Sequence, residues 1–279
     1  MVSRFPGAIA RALLVVLLIV MPSILLAGAN TDAQQIVALL AIFGAILTLV
    51  EYASSYPGLV EFRDAPPFNR VRFASLFATV FLLTMIMRGH TDPTTTTEFI
   101  TAVGTVIGHS IDFPYSPVRL VVLMMPDQTD ASLINDVRTA AGISYLISLL
   151  SLTVFVMALG VNSWPSRSGA FNVWVNLPTF DPTAGGDVVE RLNRDGRINI
   201  ALGFLLPFLI PAIVKLASNI FDPVSMSNPH TLIWTMTAWA FLPASLFMRG
   251  IAMGRVASMI DEKRKRTYAQ AQKDGVQVV

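Results

Sequence analysis

Cysteine is absent from all 279 residues, which excludes disulfide frameworks, thiolate metal sites and cysteine nucleophiles, and leaves the redox compartment open. Histidine is scarce. His90, His109 and His230 are the only three, and they fall between apolar runs or at the edge of one, so no pair is placed to grip a membrane haem from two helices. Charge is scarce too: 14% of residues are charged and the formal net charge is +2, too little to imply a nucleic-acid partner. No H-E-x-x-H, P-loop or G-x-G-x-x-G occurs.

Two fragments imitate known chemistry and fail on inspection. Residues 193–199, NRDGRIN, match the middle of an EF-hand loop. The first ligand position would be Arg191 and the twelfth Leu202, so both end carboxylates are missing, and the expected structure is an Asp-Gly turn after a short helix over 187–193. His109, Ser110 and Asp112 contain the residue types of a hydrolytic triad. Close neighbours in sequence point in different directions, and no G-x-S-x-G elbow presents the serine. The sequence therefore predicts no catalytic residue, no metal ligand and no cofactor.

Apolar sequence is abundant. Hydrophobic residues make up 53% of the chain and the mean hydropathy is +0.60, leaving too little polar surface for a soluble domain. Apolar runs lie at 8–28, 34–53, 71–87, 142–164, 198–220 and 231–254. Each is near the 20 or so residues that a helix needs to cross about 30 Å of hydrocarbon. In lipid each must be a helix, since its backbone polar groups find no water. The expected fold is an all-α integral membrane protein, a bundle of about six transmembrane helices over residues 1–254, followed by a basic cytoplasmic tail over 255–279. Arg4, Arg11 and the small triplet at 27–29 also fit a signal peptide; the length of the first apolar run favours a retained span.

Of the 20 lysines and arginines, only Arg88, Arg119, Arg138 and Lys215 avoid one side of this topology. The positive-inside bias places both termini in the cytoplasm, and the short loops suit a bacterial inner membrane. Glu51 and Lys215 are near helix ends and are expected to snorkel.

The cytoplasmic island EFRDAPPFNRVRF, residues 61–73, has two compatible readings. Its arginines hold the loop inside while Pro57, Pro66 and Pro67 stop the flanking helices. Alternatively, Tyr56, Phe62 and Phe68, interleaved with Arg63, Arg70 and Arg72, form a docking surface for a partner or for anionic headgroups. The tail carries a second basic cluster, Lys263, Arg264, Lys265 and Arg266, expected to bind lipid headgroups, with Asp261–Lys265 and Glu262–Arg266 spaced as helical ion pairs.

The outer segment, residues 90–141, should contain an amphipathic or re-entrant piece. Thr95 and Glu98 read as a capping box ahead of Phe99, Ile100, Val103, Val106 and Ile107 on one helical face. Pro114 and Pro117 then break it before a run, 118–125, too short to cross. Within the spans, Pro207, Pro211 and Pro243 mark helix kinks, and Ala240/Ala244 and Gly250/Gly254 are pairs of small residues that let helices approach.

With interaction surfaces and no visible chemistry, the chain is expected to be a non-enzymatic accessory, assembly or scaffold component of a larger membrane complex, with membrane lipids and other membrane proteins as partners. The alternative is a transporter of an uncharged or lipophilic substrate through the proline-kinked fifth and sixth helices.

Overall fold

The computed structural model describes residues 5–26, 31–161, 164–165, 171–181, 183, 185–218, 220 and 225–273. The triplet at 27–29 lies outside them. Among the described residues there are nine helices and no strand: α1 (Phe5–Leu25), α2 (Thr31–Ala53), α3 (Phe68–Gly89), α4 (Thr95–Ile111), α5 (Pro117–Met124), α6 (Ala131–Val161), α7 (Val173–Asn176), α8 (Val188–Ala217) and α9 (Pro229–Lys273). α1, α2, α3, α6, α8 and α9 are long and apolar enough to cross a membrane. They match the six apolar runs one for one.

Their ends do not match, for a physical reason. Hydropathy marks where lipid could lie, whereas i→i−4 bonding continues into polar sequence that tolerates a helix. α6 begins at Ala131 and α8 at Val188, well before the apolar runs at 142 and 198. α9 continues to Lys273, making it about 67 Å long at 1.5 Å per residue; Asp261–Lys265 and Glu262–Arg266 support its polar end at 2.7 and 3.8 Å.

The expected Asp195-Gly196 turn does not form: α8 runs through it unbroken. Asp187 caps the helix instead, its Oδ1 accepting from the backbone N–H groups of Val189 and Glu190. Gly196 serves packing. A Cβ built there would lie 3.0 Å from the Gly250 carbonyl oxygen, and one built at Gly250 would lie 2.5 Å from that of Gly196. The two backbones touch. Further along, Gly203 meets Pro243 and Phe247 in the same way, so α8 and α9 run antiparallel along an extended seam. Ala240 and Ala244 are buried in α9 as well.

The segment between α3 and α6 is helix, break, helix. Thr94, one residue before the expected cap, accepts from the Thr97 N–H while Thr97 Oγ1 accepts from the Thr94 N–H. Ser116 caps α5 with Pro117 in the first turn, the placement that suits both residue types. The apolar face of α4 is turned the other way from a soluble helix: Phe99, Val103 and Val106 point out of the bundle. Its glycine and threonine face is the packed one. A Cβ at Gly142 of α6 would fall 2.5 Å from the Gly108 Cα, so only small residues let these helices close.

Two apolar clusters fill the interior. One joins α3, α5, α6 and α9 around Val80, Leu83, Val121, Val137, Ile233 and Met236. The other gathers Phe62, Phe68, Phe155, Leu177, Leu192 and Met253 at the end rich in basic residues. α6 contributes a line of buried serines, Ser144, Ser148 and Ser151; Ser148 donates to the Ala240 carbonyl at 3.0 Å. α2 is peripheral, with Gly44 against Val15 and Ile19 of α1 and Ile36, Leu39, Leu40, Phe43, Ile46 and Val50 exposed.

Candidate functional site: a fastened plate at the basic end

The loop between α2 and α3 is a folded plate, built from its acidic and aromatic residues together with α7 and α9. Glu51 does not reach out to solvent as a snorkelling side chain would. It is buried, and its carboxylate accepts from the N–H groups of Gly58, Leu59 and Val60 at 2.9 to 3.1 Å, so three loop amides that would otherwise lack partners close around one charge. Lys215, by contrast, does extend, to the Met125 carbonyl at 3.2 Å and toward Asp127 at 3.7 Å.

Arg63 locks this turn from beneath. With its side chain only 1% exposed, it donates to the carbonyls of Glu51 and Ser54 at 2.9 and 2.7 Å and pairs with Asp64 at 3.1 Å. The next part of the network comes from far along the chain. The Asn176 carbonyl accepts from the Phe62 N–H at 2.6 Å and its Oδ1 from the Asp64 N–H at 3.1 Å. Glu61 receives Arg249 through two bonds of 2.6 and 2.8 Å and Thr179 through one of 2.6 Å. This doubly bonded carboxylate–guanidinium pair ties the loop to α9 with fixed geometry. Asn69 closes the plate by donating to the Glu61 carbonyl at 2.7 Å.

The aromatic residues of this stretch turn inward. Phe62 and Phe68 have ring centroids 4.5 Å apart, and Phe62 lies 5.7 Å from Trp164 while Phe68 lies 5.7 Å from Phe155. Both phenylalanines are fully buried. The expected docking surface must therefore be corrected: Phe62, Phe68 and Arg63 hold the plate together and are not presented outward. Tyr56 and Arg70 are exposed, and Arg72 is partly buried. In the tail, Lys263, Lys265 and Arg266 are exposed, whereas Arg264 is bonded to Asp187. That guanidinium, with the two capping amides, holds the Asp187 carboxyl below the usual carboxylate range.

The proline positions are buried within α8 and α9. Pro211 has no N–H, so the carbonyl four residues earlier, that of Pro207, loses its helical donor. Trp239 of α9 replaces it, its indole N–H donating to that oxygen at 3.1 Å. A shallow apolar cavity of about 380 Å³ lies beside Pro211, lined by Leu120, Leu123, Met124, Ala212, Lys215 and Leu216. An open polar depression of about 650 Å³ lies over the first turns of α8, among Asp187, Glu190, Asn193, Arg194 and Arg197.

The remaining polar residues are placed as follows. Asp112, at the break between α4 and α5, takes Arg119 at 2.8 Å and Arg138 at 2.7 Å. His109 faces Asn135 at 3.2 Å, and Ser110 donates back to the Val106 carbonyl, so the three residues of the imitation triad bond to other groups. His90 lies 3.2 Å from Asp136. Among the described residues no three of His, Asp and Glu gather as a metal would need.

Glu61–Arg249, Asn176 and the amide cradle around Glu51 have no signature in the sequence. The only available hint is that acidic residues stand beside the basic island where charge is otherwise scarce. No family, curated protein or solved structure matches the chain.

Proposed function

We propose that this protein is a non-enzymatic accessory, assembly or scaffold component of a larger complex in a bacterial inner membrane, with both termini in the cytoplasm. The observation that carries the proposal is how the scarce polar groups are used. Glu51, Glu61, Arg63, Asp64, Asn176 and Arg249 fasten segments of the chain to one another. A protein that works by holding shape has reason to use charge this way, since breaking a buried pair leaves an uncompensated ion. Tyr56, Arg70 and the exposed arm of α9 beyond Ile260 remain available for membrane proteins and lipids. Co-purification in mild detergent followed by mass spectrometry tests this reading: membrane proteins recovered in stoichiometric amounts support it.

A second reading, a carrier for an uncharged or lipophilic substrate, has one observation in its favour, the apolar cavity beside Pro211. Against it, the α8–α9 seam is closed by backbone contact at Gly196 and Gly203, and the carbonyl freed by Pro211 is already satisfied. Uptake of neutral solutes into liposomes carrying the purified protein, compared with a variant in which Pro207, Pro211 and Pro243 are all replaced by alanine, decides between the two.

A further inference from the structure

The apolar cavity beside Pro211 has charge only at its mouth. Two helical faces make its walls. Leu120, Leu123 and Met124 stand three and four residues apart on α5, while on α8 Ala212 and Leu216 are four apart, as are Pro211 and Lys215, so each set shares one side of its helix. Leu123 and Leu216 are 57% and 68% exposed, so this space of about 380 Å³ opens between apolar side chains on the outer surface of two packed helices. In a membrane that rim admits an alkyl chain, which has no hydration to lose there, and resists a water-soluble ligand.

Lys215 marks the headgroup end. It lies in the last turn of α8, about 6 Å along the axis from Pro211 at 1.5 Å per residue. Its Nζ donates to the Met125 carbonyl at 3.2 Å, which holds the ammonium at the end of α5. An ammonium has three donors. Among the described residues the next acceptor is Asp127 Oδ1 at 3.7 Å, too far for a hydrogen bond. The Lys215 side chain is 45% exposed and that of Asp127 99%, so both charges are open to a ligand. A cation and an anion thus stand side by side over a slot for an alkyl chain.

That pairing discriminates among lipid heads. A purely anionic head would gain Lys215 and be repelled by Asp127. A head carrying a phosphate and a primary ammonium meets each charge with its opposite, through charge-assisted hydrogen bonds on both sides. A quaternary ammonium has no N–H to donate. We propose that the cavity between α5 and α8 seats one acyl chain of phosphatidylethanolamine, with its phosphate on Lys215 and its amine on Asp127. Such a site needs the six apolar helices to lie in a membrane. It needs neither a partner complex nor a given orientation, so its absence would leave the accessory reading standing.

The test uses the full chain in neutral detergent micelles, titrated with phosphatidylethanolamine, phosphatidylcholine or phosphatidylglycerol while thermal unfolding is followed. Phosphatidylethanolamine should stabilise the wild type at the lowest mole fraction. In K215Q, whose amide can still donate to Met125, the half-saturating mole fraction of phosphatidylethanolamine should rise about tenfold, the loss of a charge-assisted hydrogen bond. D127N changes a fully exposed side chain; it should lose the preference for phosphatidylethanolamine over phosphatidylcholine and respond more strongly to phosphatidylglycerol. A212F fills the cavity from an exposed position, so it should weaken the response to phosphatidylethanolamine and leave the lipid-free unfolding temperature near that of wild type. Glycerophosphoethanolamine, the same head without acyl chains, should have no effect. The proposal is overturned if phosphatidylcholine or phosphatidylglycerol stabilises the wild type as well as phosphatidylethanolamine does, or if D127N keeps the wild-type order of lipids. A response to phosphatidylethanolamine unchanged in K215Q or A212F overturns it as well, as does stabilisation by glycerophosphoethanolamine.

Discussion

Replacing Trp239 by Phe removes one hydrogen bond at a place where the helix itself cannot supply another. Trp239 is 4% exposed, and its indole N–H is 3.1 Å from the Pro207 carbonyl. Pro211 leaves that carbonyl without its own helical donor. A buried carbonyl left unsatisfied costs about 1 to 3 kcal/mol in general, while interhelical hydrogen bonds in membrane bundles average about 0.6 and reach about 1.7 kcal/mol. Because the site is buried between α8 and α9, W239F should lie toward the upper end, with about 1 to 2 kcal/mol lost, including the smaller ring volume. The cycle with P211A isolates the bond. That substitution restores an N–H four residues from Pro207, so in its background the indole is redundant and the W239F penalty should shrink by about 0.6 kcal/mol or more. Reversible unfolding of the four proteins in mixed detergent, read by tryptophan-independent far-ultraviolet dichroism, supplies the energies. An equal penalty in both backgrounds would refute the reasoning, since the indole would then contribute packing alone.

Reporter fusions after Arg72 and Arg194 should read cytoplasmic and those at Asp127 and Asn228 external, because positive-inside bias orients the six spans; a cytoplasmic signal at Asp127 would contradict the six-span topology. R63A alone should lower stability by about 2 to 4 kcal/mol, since it strands two carbonyls and the Glu51 turn, whereas R70A at an exposed position should change it by less than about 0.5 kcal/mol; chemical denaturation compares them. Asp187 has its carboxyl held down by Arg264, so its link to α9 is present above the ordinary carboxylate pKa and is lost only as pH falls through the lower, folded value. Proteolysis of the arm beyond Ile260 should therefore be unchanged from neutral pH to mild acid in wild type and faster at every such pH in D187N.

The number of long helices was legible because apolar length is a property of contiguous residues. Their polar continuations were hidden, since the acidic and basic residues in 187–197 and 261–273 carry no hydropathy signal, and their helical state depends on Asp187 capping and on i,i+4 pairs. Gly196 looks like a turn glycine because Asp-Gly is a turn signal locally; its role against Gly250 is visible only once α8 and α9 are paired. The inward turn of Phe62, Phe68 and Arg63 was hidden for a related reason. Aromatic residues alternating with arginines look the same whether they face solvent or fold inward, and the deciding contacts, from Asn176, Thr179 and Arg249, come from more than a hundred residues away. The freed carbonyl at Pro207 was foreseeable from Pro211, while the identity of its donor was not.

If this protein acts by holding other membrane components, the most direct measurement is what accompanies it. Native membranes solubilised in mild detergent, purified through the chain and analysed by mass spectrometry with crosslinking, should return one or more membrane proteins in stoichiometric amounts, crosslinked to Lys263, Lys265 or Lys273 on the α9 arm. Recovery of the chain alone, together with saturable solute uptake in liposomes that disappears when Pro207, Pro211 and Pro243 are replaced by alanine, would contradict it.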